Sequence, residues 1–213
     1  MYPLNDSALQ VTDFLLQIKA IKLQPNDPFT WASGIKSPIY CDNRKILSFP
    51  KIRTFIRQEL TKALSNNFGK PDVIAGVATG GIALGALVAQ ELGVPLVYVR
   101  PSSKGYGLEN KIEGSIESGQ SVLVIEDLVS TGKSSLNAVQ ALRAAGCTVK
   151  GMIAVFTYNL KEASDNFKEA KCQLVTLTDY DILIQKAADT HYISKSDIKS
   201  LKEWKNNPEG WKA

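Results

Sequence analysis

Between Asp6 and Lys22 the apolar residues Leu9, Phe14, Leu15, Ile18 and Ile21 recur near helical spacing, and Asn5, Asp6 or Ser7 can cap the start. This predicts an amphipathic N-terminal helix. From Phe29 to Asp42 aromatic and β-branched residues flank a Ser33-Gly34 turn, the pattern of a short hairpin. The period then changes. A helix from about Pro50 to Ser65 leads into the apolar strand Val73–Val77, a glycine turn, a small-residue helix from Ile82 to Leu92 and the strand Leu96–Val99. After a polar loop come the strand Ser121–Ile125, a helix from about Lys133 to Ala145 stopped at Gly146, and the strand Val149–Phe156.

Strands that are apolar throughout and alternate with helices imply a parallel sheet covered on both faces, with right-handed crossovers and ligands beyond the carboxyl ends of the strands. The expected class is α/β, Rossmann-like. At 213 residues the chain suits one domain. Residues 1–45 would form an N-terminal helix and hood hairpin, 50–190 the core, and 194–213 a Lys-rich C-terminal helix and frayed tail.

Composition narrows the function classes. With 44% hydrophobic and 22% charged residues, the chain is an ordinary globular one rather than a disordered one. No apolar run approaches the roughly 20 residues of a membrane-spanning helix, and Met1 to Asp6 lacks a signal-peptide pattern, so a cytoplasmic location is expected. Cys41, Cys147 and Cys172 are odd in number and widely spaced, which suggests packing rather than disulfides or zinc. The single histidine, His191, weakens any metallohydrolase or Ser/His/Asp reading. A net charge of +4 suits a small polyanion, but the cations form no stripe, so neither nucleic acid nor membrane is an expected partner.

The most informative stretch runs from Val122 to Ser135: a buried strand, the carboxylates Glu126 and Asp127 at its carboxyl end, then a hydroxyl- and glycine-bearing turn into a helix. The turn can aim backbone N–H groups and the hydroxyls of Ser130, Thr131 and Ser134 at a phosphate, with the positive end of a helix dipole behind them. Glu126 and Asp127 can accept hydrogen bonds from vicinal sugar hydroxyls or face magnesium. Ribose beside phosphate is the implied ligand. Gly132-Lys133-Ser134 imitates the end of a nucleotide P-loop, but the first glycine of that motif would fall at Asp127, whose charge would repel phosphate. A helix cap beside a solvated strand end is the plainer alternative, and the combination of parts disfavours it.

This stretch resembles the phosphoribosyl-pyrophosphate (PRPP) signature of type I phosphoribosyltransferases. More narrowly, Phe29-Thr30, Ser33-Gly34-x-Lys36-Ser37-Pro38, the loop Arg100 to Gly107 and Glu126 to Gly132 are similar to the orotate phosphoribosyltransferases. The resemblance implies transfer of a phosphoribosyl group from PRPP to orotate, with magnesium, in a homodimer whose lid loop completes the neighbouring chain's site. By position it implies that Arg100 and Lys104 hold pyrophosphate, with Lys104 opposite the charge that grows on the leaving group and Tyr106 beside them. It further implies that Glu126 and Asp127 bind the ribose. Leu128, Val129, Ser130, Thr131, Gly132, Lys133 and Ser134 would bind the 5′-phosphate, and Ser130, Lys36, Tyr40 and Cys41 would edge the orotate pocket.

The chain departs from the family pattern at several points. Tyr106 stands where many members have histidine, Pro101 where they have a second lid lysine, and Ala32 where they have lysine. Ala78-Thr79-Gly80-Gly81 replaces a Tyr-Lys loop, and Thr157-Tyr158 stand where some members have an orotate-binding arginine. A purine-base phosphoribosyltransferase and a PRPP-binding regulator without catalysis are the rival readings.

Overall fold

The computed structural model describes residues 6–30, 34–101 and 111–212. Helix α1 (Asp6–Gln17) stops five residues short of the predicted Lys22. Lys19 adopts φ 53°, and the Ala20 N–H reaches back to the Leu15 carbonyl at 2.9 Å, which ends the helix. The released residues form β1 (Ile21–Leu23), which pairs antiparallel with β4 (Ile39–Cys41). Between them β2 (Phe29–Thr30) and β3 (Lys36–Ser37) make the predicted hairpin. A 3-10 turn (Asn43–Ser48) then joins this hood to α2 (Pro50–Asn67).

The core sheet contains β5 (Val73–Val77), β6 (Leu96–Val99), β7 (Ile112–Glu113), β8 (Ser121–Val129), β9 (Thr148–Thr157) and β10 (Leu174–Asp179). Its order is β10-β9-β8-β5-β6-β7, parallel throughout except for β7, which runs antiparallel to β6 at the edge. The chain moves outward from β5 through α3 (Gly80–Leu92) to β6, then returns to the other side of β5 as β8. That reversal opens a crevice beyond the carboxyl ends of β5 and β8, where a doubly wound sheet binds ligands.

Alternate residues of the central strands feed two cores. Ile74, Leu123, Ile125, Ile153 and Val155 join α1, α2, α3, α6 (Tyr180–Asp189) and α7 (Asp197–Asn206) on one face. Val73, Ala75, Val122, Val124 and Ala154 join α4 (Lys133–Ala144) and α5 (Lys161–Glu169) on the other. The C-terminal segment is packed rather than frayed. Trp204 is fully buried in edge-to-face and tilted contact with Tyr158 and Tyr180, and the Trp211 indole donates to Ser200 Oγ at 3.1 Å. Burying aromatic rings of this size offsets the entropy of ordering the tail. Among the described residues no helix is long and apolar enough to cross a membrane.

Candidate active site at the switch point of the sheet

Strand β8 does not end at Ile125. It continues through the acidic pair because Glu126 pairs with Ala154 and Leu128 with Phe156 of β9, so ladder hydrogen bonds carry the strand to Val129. This alternation sends the two carboxylates to different surroundings. Glu126 is buried, accepts from Ser135 Oγ at 2.8 Å through Oε2, and accepts from the Asp127 N–H at 2.9 Å through Oε1. Burial first, and the adjacent Asp127 carboxylate second, push the Glu126 carboxyl well above the usual range. Asp127 is half-buried and has no ion-pair partner among the described residues.

Beyond Val129 the chain turns through Ser130, Thr131 and Gly132 into α4. Gly132 caps the helix at φ 80°, and the first intrahelical bond is Leu136 N–H to the Gly132 carbonyl at 2.8 Å. The N–H groups of Lys133, Ser134 and Ser135 therefore lack intrahelical acceptors and stand at the positive end of the helix. Two residues of α5 brace the turn: Asn166 Nδ2 donates to the Thr131 carbonyl at 2.9 Å, and a Cβ at Gly132 would come within 2.6 Å of the Phe167 ring. Thr157 adds a third brace, its hydroxyl donating to the Val129 carbonyl at 3.1 Å.

The opposite wall is the loop Ala78-Thr79-Gly80 after β5, which includes a cis peptide between Ala78 and Thr79. The Ala78 N–H is held by the Val99 carbonyl at 2.9 Å. A Cβ at Gly80 would fall on the Asp127 carboxylate, so any larger residue there would have to displace the acid from this position. The third wall comes from the hood. Asn43, fully buried, donates from Nδ2 to the Asp127 carbonyl at 2.7 Å and accepts the Cys41 thiol at 3.4 Å. Burial, then the Asp127 and Asp42 carboxylates, raise the Cys41 thiol well above its ordinary value, so it stays a neutral wall residue.

These three walls enclose a cleft of about 340 Å³ lined by Cys41, Asp42, Arg44, Val77 to Gly80, Glu126, Asp127, Leu128 and Ser134. The sequence-predicted residues Cys41, Glu126, Asp127, Leu128 and Ser134 thus meet in one place. Val129 is buried beneath the turn, Ser130 and Thr131 are half-buried on it, and Lys133 points its amine to Glu162 at 2.7 Å. Lys36 is exposed on β3 and donates to Thr30 Oγ1 at 2.8 Å, while exposed Tyr40 packs on Phe29; neither lines the cleft. Arg100 pairs with Glu113 at 3.2 Å, also away from the cleft lining. Thr157 lines a separate cavity of about 290 Å³ bordered by α5. Lys104 and Tyr106 lie outside the described residues.

Sequence pattern did not single out Asp42, Asn43 and Arg44, although all three follow the hood strand directly. A short polar run after a hairpin carries no periodic signal. The signal available was chemical: an arginine between two polar residues that the turn alone does not require.

The cleft combines a carboxylate pair, an open helix N-terminus and a glycine loop, which together suit a phosphorylated sugar. The family described as Phosphoribosyl transferase domain matches residues 46–191. Orotate phosphoribosyltransferase from Porphyromonas gingivalis is 57% identical over 197 residues, 92% of this chain and 94% of that protein. Orotate phosphoribosyltransferase from Listeria monocytogenes is 54% identical over 202 residues, 95% of this chain and 97% of that protein. The crystal structure of orotate phosphoribosyltransferase from Aeropyrum pernix superposes with a TM-score of 0.75 at 25% identity, covering 86% of this chain and 99% of that one. Matched at such identity over nearly its whole length, and carrying the cleft just described, the chain belongs to the orotate phosphoribosyltransferases.

Proposed function

We propose that the chain transfers the 5-phosphoribosyl group of PRPP to orotate in the cleft between β5 and β8, giving orotidine 5′-monophosphate and pyrophosphate for pyrimidine nucleotide synthesis. One observation carries the placement: the acidic pair, the open N-terminus of α4 and the Ala78–Gly80 backbone converge on a single cleft. The 5′-phosphate lies on the turn from Leu128 to Ser134, and the ribose hydroxyls lie on Asp127 and Glu126. Pyrophosphate lies against the Ala78–Gly81 backbone. Orotate then enters from the hood side, near Cys41 and Ser130, with Tyr40 and Lys36 at its rim.

Displacing pyrophosphate from the anomeric carbon builds positive charge on the ribose and negative charge on the leaving group. The orotate nitrogen forms its bond to that carbon as the bond to pyrophosphate breaks, the electron pair leaving with pyrophosphate. No covalent enzyme nucleophile is needed. Asp127 and Glu126 fix the sugar, and Lys104, Arg100 and Tyr106 hold pyrophosphate and exclude water. The donor set fits magnesium. Asp127 offers hard carboxylate oxygens to an ion that keeps substrate and water oxygens in its shell. Held by Asp127, magnesium would supply charge neutralisation to the pyrophosphate.

The active form in this proposal is a cytoplasmic homodimer in which residues 100–114 of one chain complete the site of the other. Lys104→Ala and Asp127→Asn are each expected to lower kcat about 10²- to 10³-fold. Mixed after reversible dissociation, the two inactive variants regain about a quarter of wild-type turnover, since half the dimers then carry one intact site. No recovery on mixing would remove the shared site, and unchanged turnover in Lys104→Ala would remove the role of that lysine.

A further inference from the structure

The charge around the cleft is unbalanced in a way that points to one residue. Among the described residues that line it, Asp42, Glu126 and Asp127 are acids and Arg44 is the one cation. Arg44 is paired through one edge of its guanidinium. Its Nε donates to Asp42 Oδ1 at 2.7 Å, and its backbone N–H donates to the same oxygen at 3.3 Å, so the guanidinium is paired with a carboxylate that is itself held at the start of the 3-10 turn. This pairing holds the Asp42 carboxyl below the usual carboxylate range, so the anchor keeps its charge. Both Nη groups remain without a partner among the described residues, and the side chain is 60% exposed. Its charge reaches both Asp127 on the sugar side and Tyr40 on the hood side.

An arginine fixed through Nε presents its two Nη groups as a planar fork, the geometry that recognises a carboxylate with paired hydrogen bonds. The sugar and its phosphate occupy the β8 and α4 side in the reading above, which leaves the hood side, where Arg44 lines the cleft, for the base. Of the two substrates, orotate is the one whose base carries a carboxylate. We infer that Arg44 binds the carboxylate of orotate and is the residue by which the site selects orotate over an uncharged pyrimidine, with Asp42 as its positioning residue. This inference rests on the function proposed above.

The test compares wild-type protein with Arg44→Ala, Arg44→Lys and Asp42→Asn, varying orotate and PRPP separately and using the uncharged methyl ester of orotate as a competing ligand. Arg44→Ala is expected to raise the KM for orotate about 10- to 100-fold, the loss of a charge-assisted pair, and to leave the KM for PRPP within about twofold. Arg44→Lys keeps the charge without the fork and recovers part of the loss. Asp42→Asn raises the same KM by less, and the inhibition constant of the methyl ester does not change in any variant. An unchanged KM for orotate in Arg44→Ala would overturn the inference, as would parallel rises in the KM for orotate and PRPP or equal weakening of the ester. If wild-type protein forms no product from orotate and PRPP, the proposed function itself fails; if wild type turns over and Arg44→Ala matches it, only the role of Arg44 fails.

Discussion

Asn43 joins two walls of the cleft, and its truncation tests whether the hood is fastened to the acidic strand through that one side chain. Asn43 is 1% exposed, donates to the Asp127 carbonyl at 2.7 Å, and accepts the Cys41 thiol. Asn43→Ala leaves that carbonyl without its donor. An unsatisfied buried acceptor costs about 1–3 kcal/mol, and water entering from the open cleft brings the figure toward the lower end, about 1–2 kcal/mol. For a domain of this size each kcal/mol lowers Tm by about 2–4 °C, so a drop of roughly 2–8 °C is expected in a thermal melt. Because Cys41, Asp42 and Arg44 ride on the same segment, the KM for orotate is expected to rise more than that for PRPP. Asn43→Asp keeps the shape but turns a carboxylate toward the Asp127 carbonyl, so it destabilises more at neutral pH and partly recovers as the new acid is protonated. A melt for Asn43→Ala within about 1 °C of wild type, with unchanged kinetics, would refute the reasoning.

Glu126→Gln probes the buried acid. Native Glu126 holds its proton to higher pH than the unfolded chain, where a glutamate titrates near about 4.3, so between those values the native state binds more protons and stability falls as pH rises. Urea unfolding across that window should show a shallower fall in Glu126→Gln, and parallel pH profiles would contradict the assignment. Gly132→Ala adds a Cβ at positive φ and against Phe167; it is expected to cost about 1–3 kcal/mol and to raise the KM for PRPP, whereas an unchanged PRPP affinity by calorimetry would detach the turn from phosphate binding.

The parts of the fold that sequence pattern reached are those whose burial is uniform or periodic. β5 and β6 are short apolar runs, buried on both faces or alternately, and their predicted limits match the observed ones. α5, β10 and α6 were not placed from the sequence: α5 is short and buries only Ala163 and Phe167, and β10 is an edge strand with half-buried polar positions, whereas α6 buries Tyr180, Leu183, Ile184, Ala187 and Ala188 at helical spacing, a period the sequence does carry. The early end of α1 depends on Lys19 at positive φ and on the pairing of β1 with β4 across the hairpin, a contact distant in sequence. The site divides along the same line. The acidic pair and the phosphate turn are contiguous and were legible as one unit. Asn43, Arg44 and Asn166 reach the cleft or brace its turn from other segments, and only the folded chain brings them to β8 and α4.

The central claim is that this cleft joins a phosphoribosyl group to orotate, and product formation from PRPP and magnesium with orotate, uracil, adenine, hypoxanthine and xanthine offered separately tests it most directly. Orotidine 5′-monophosphate and pyrophosphate are expected from orotate, with no nucleotide from the purines. A purine nucleotide formed in preference, or PRPP bound with no base consumed, would contradict it.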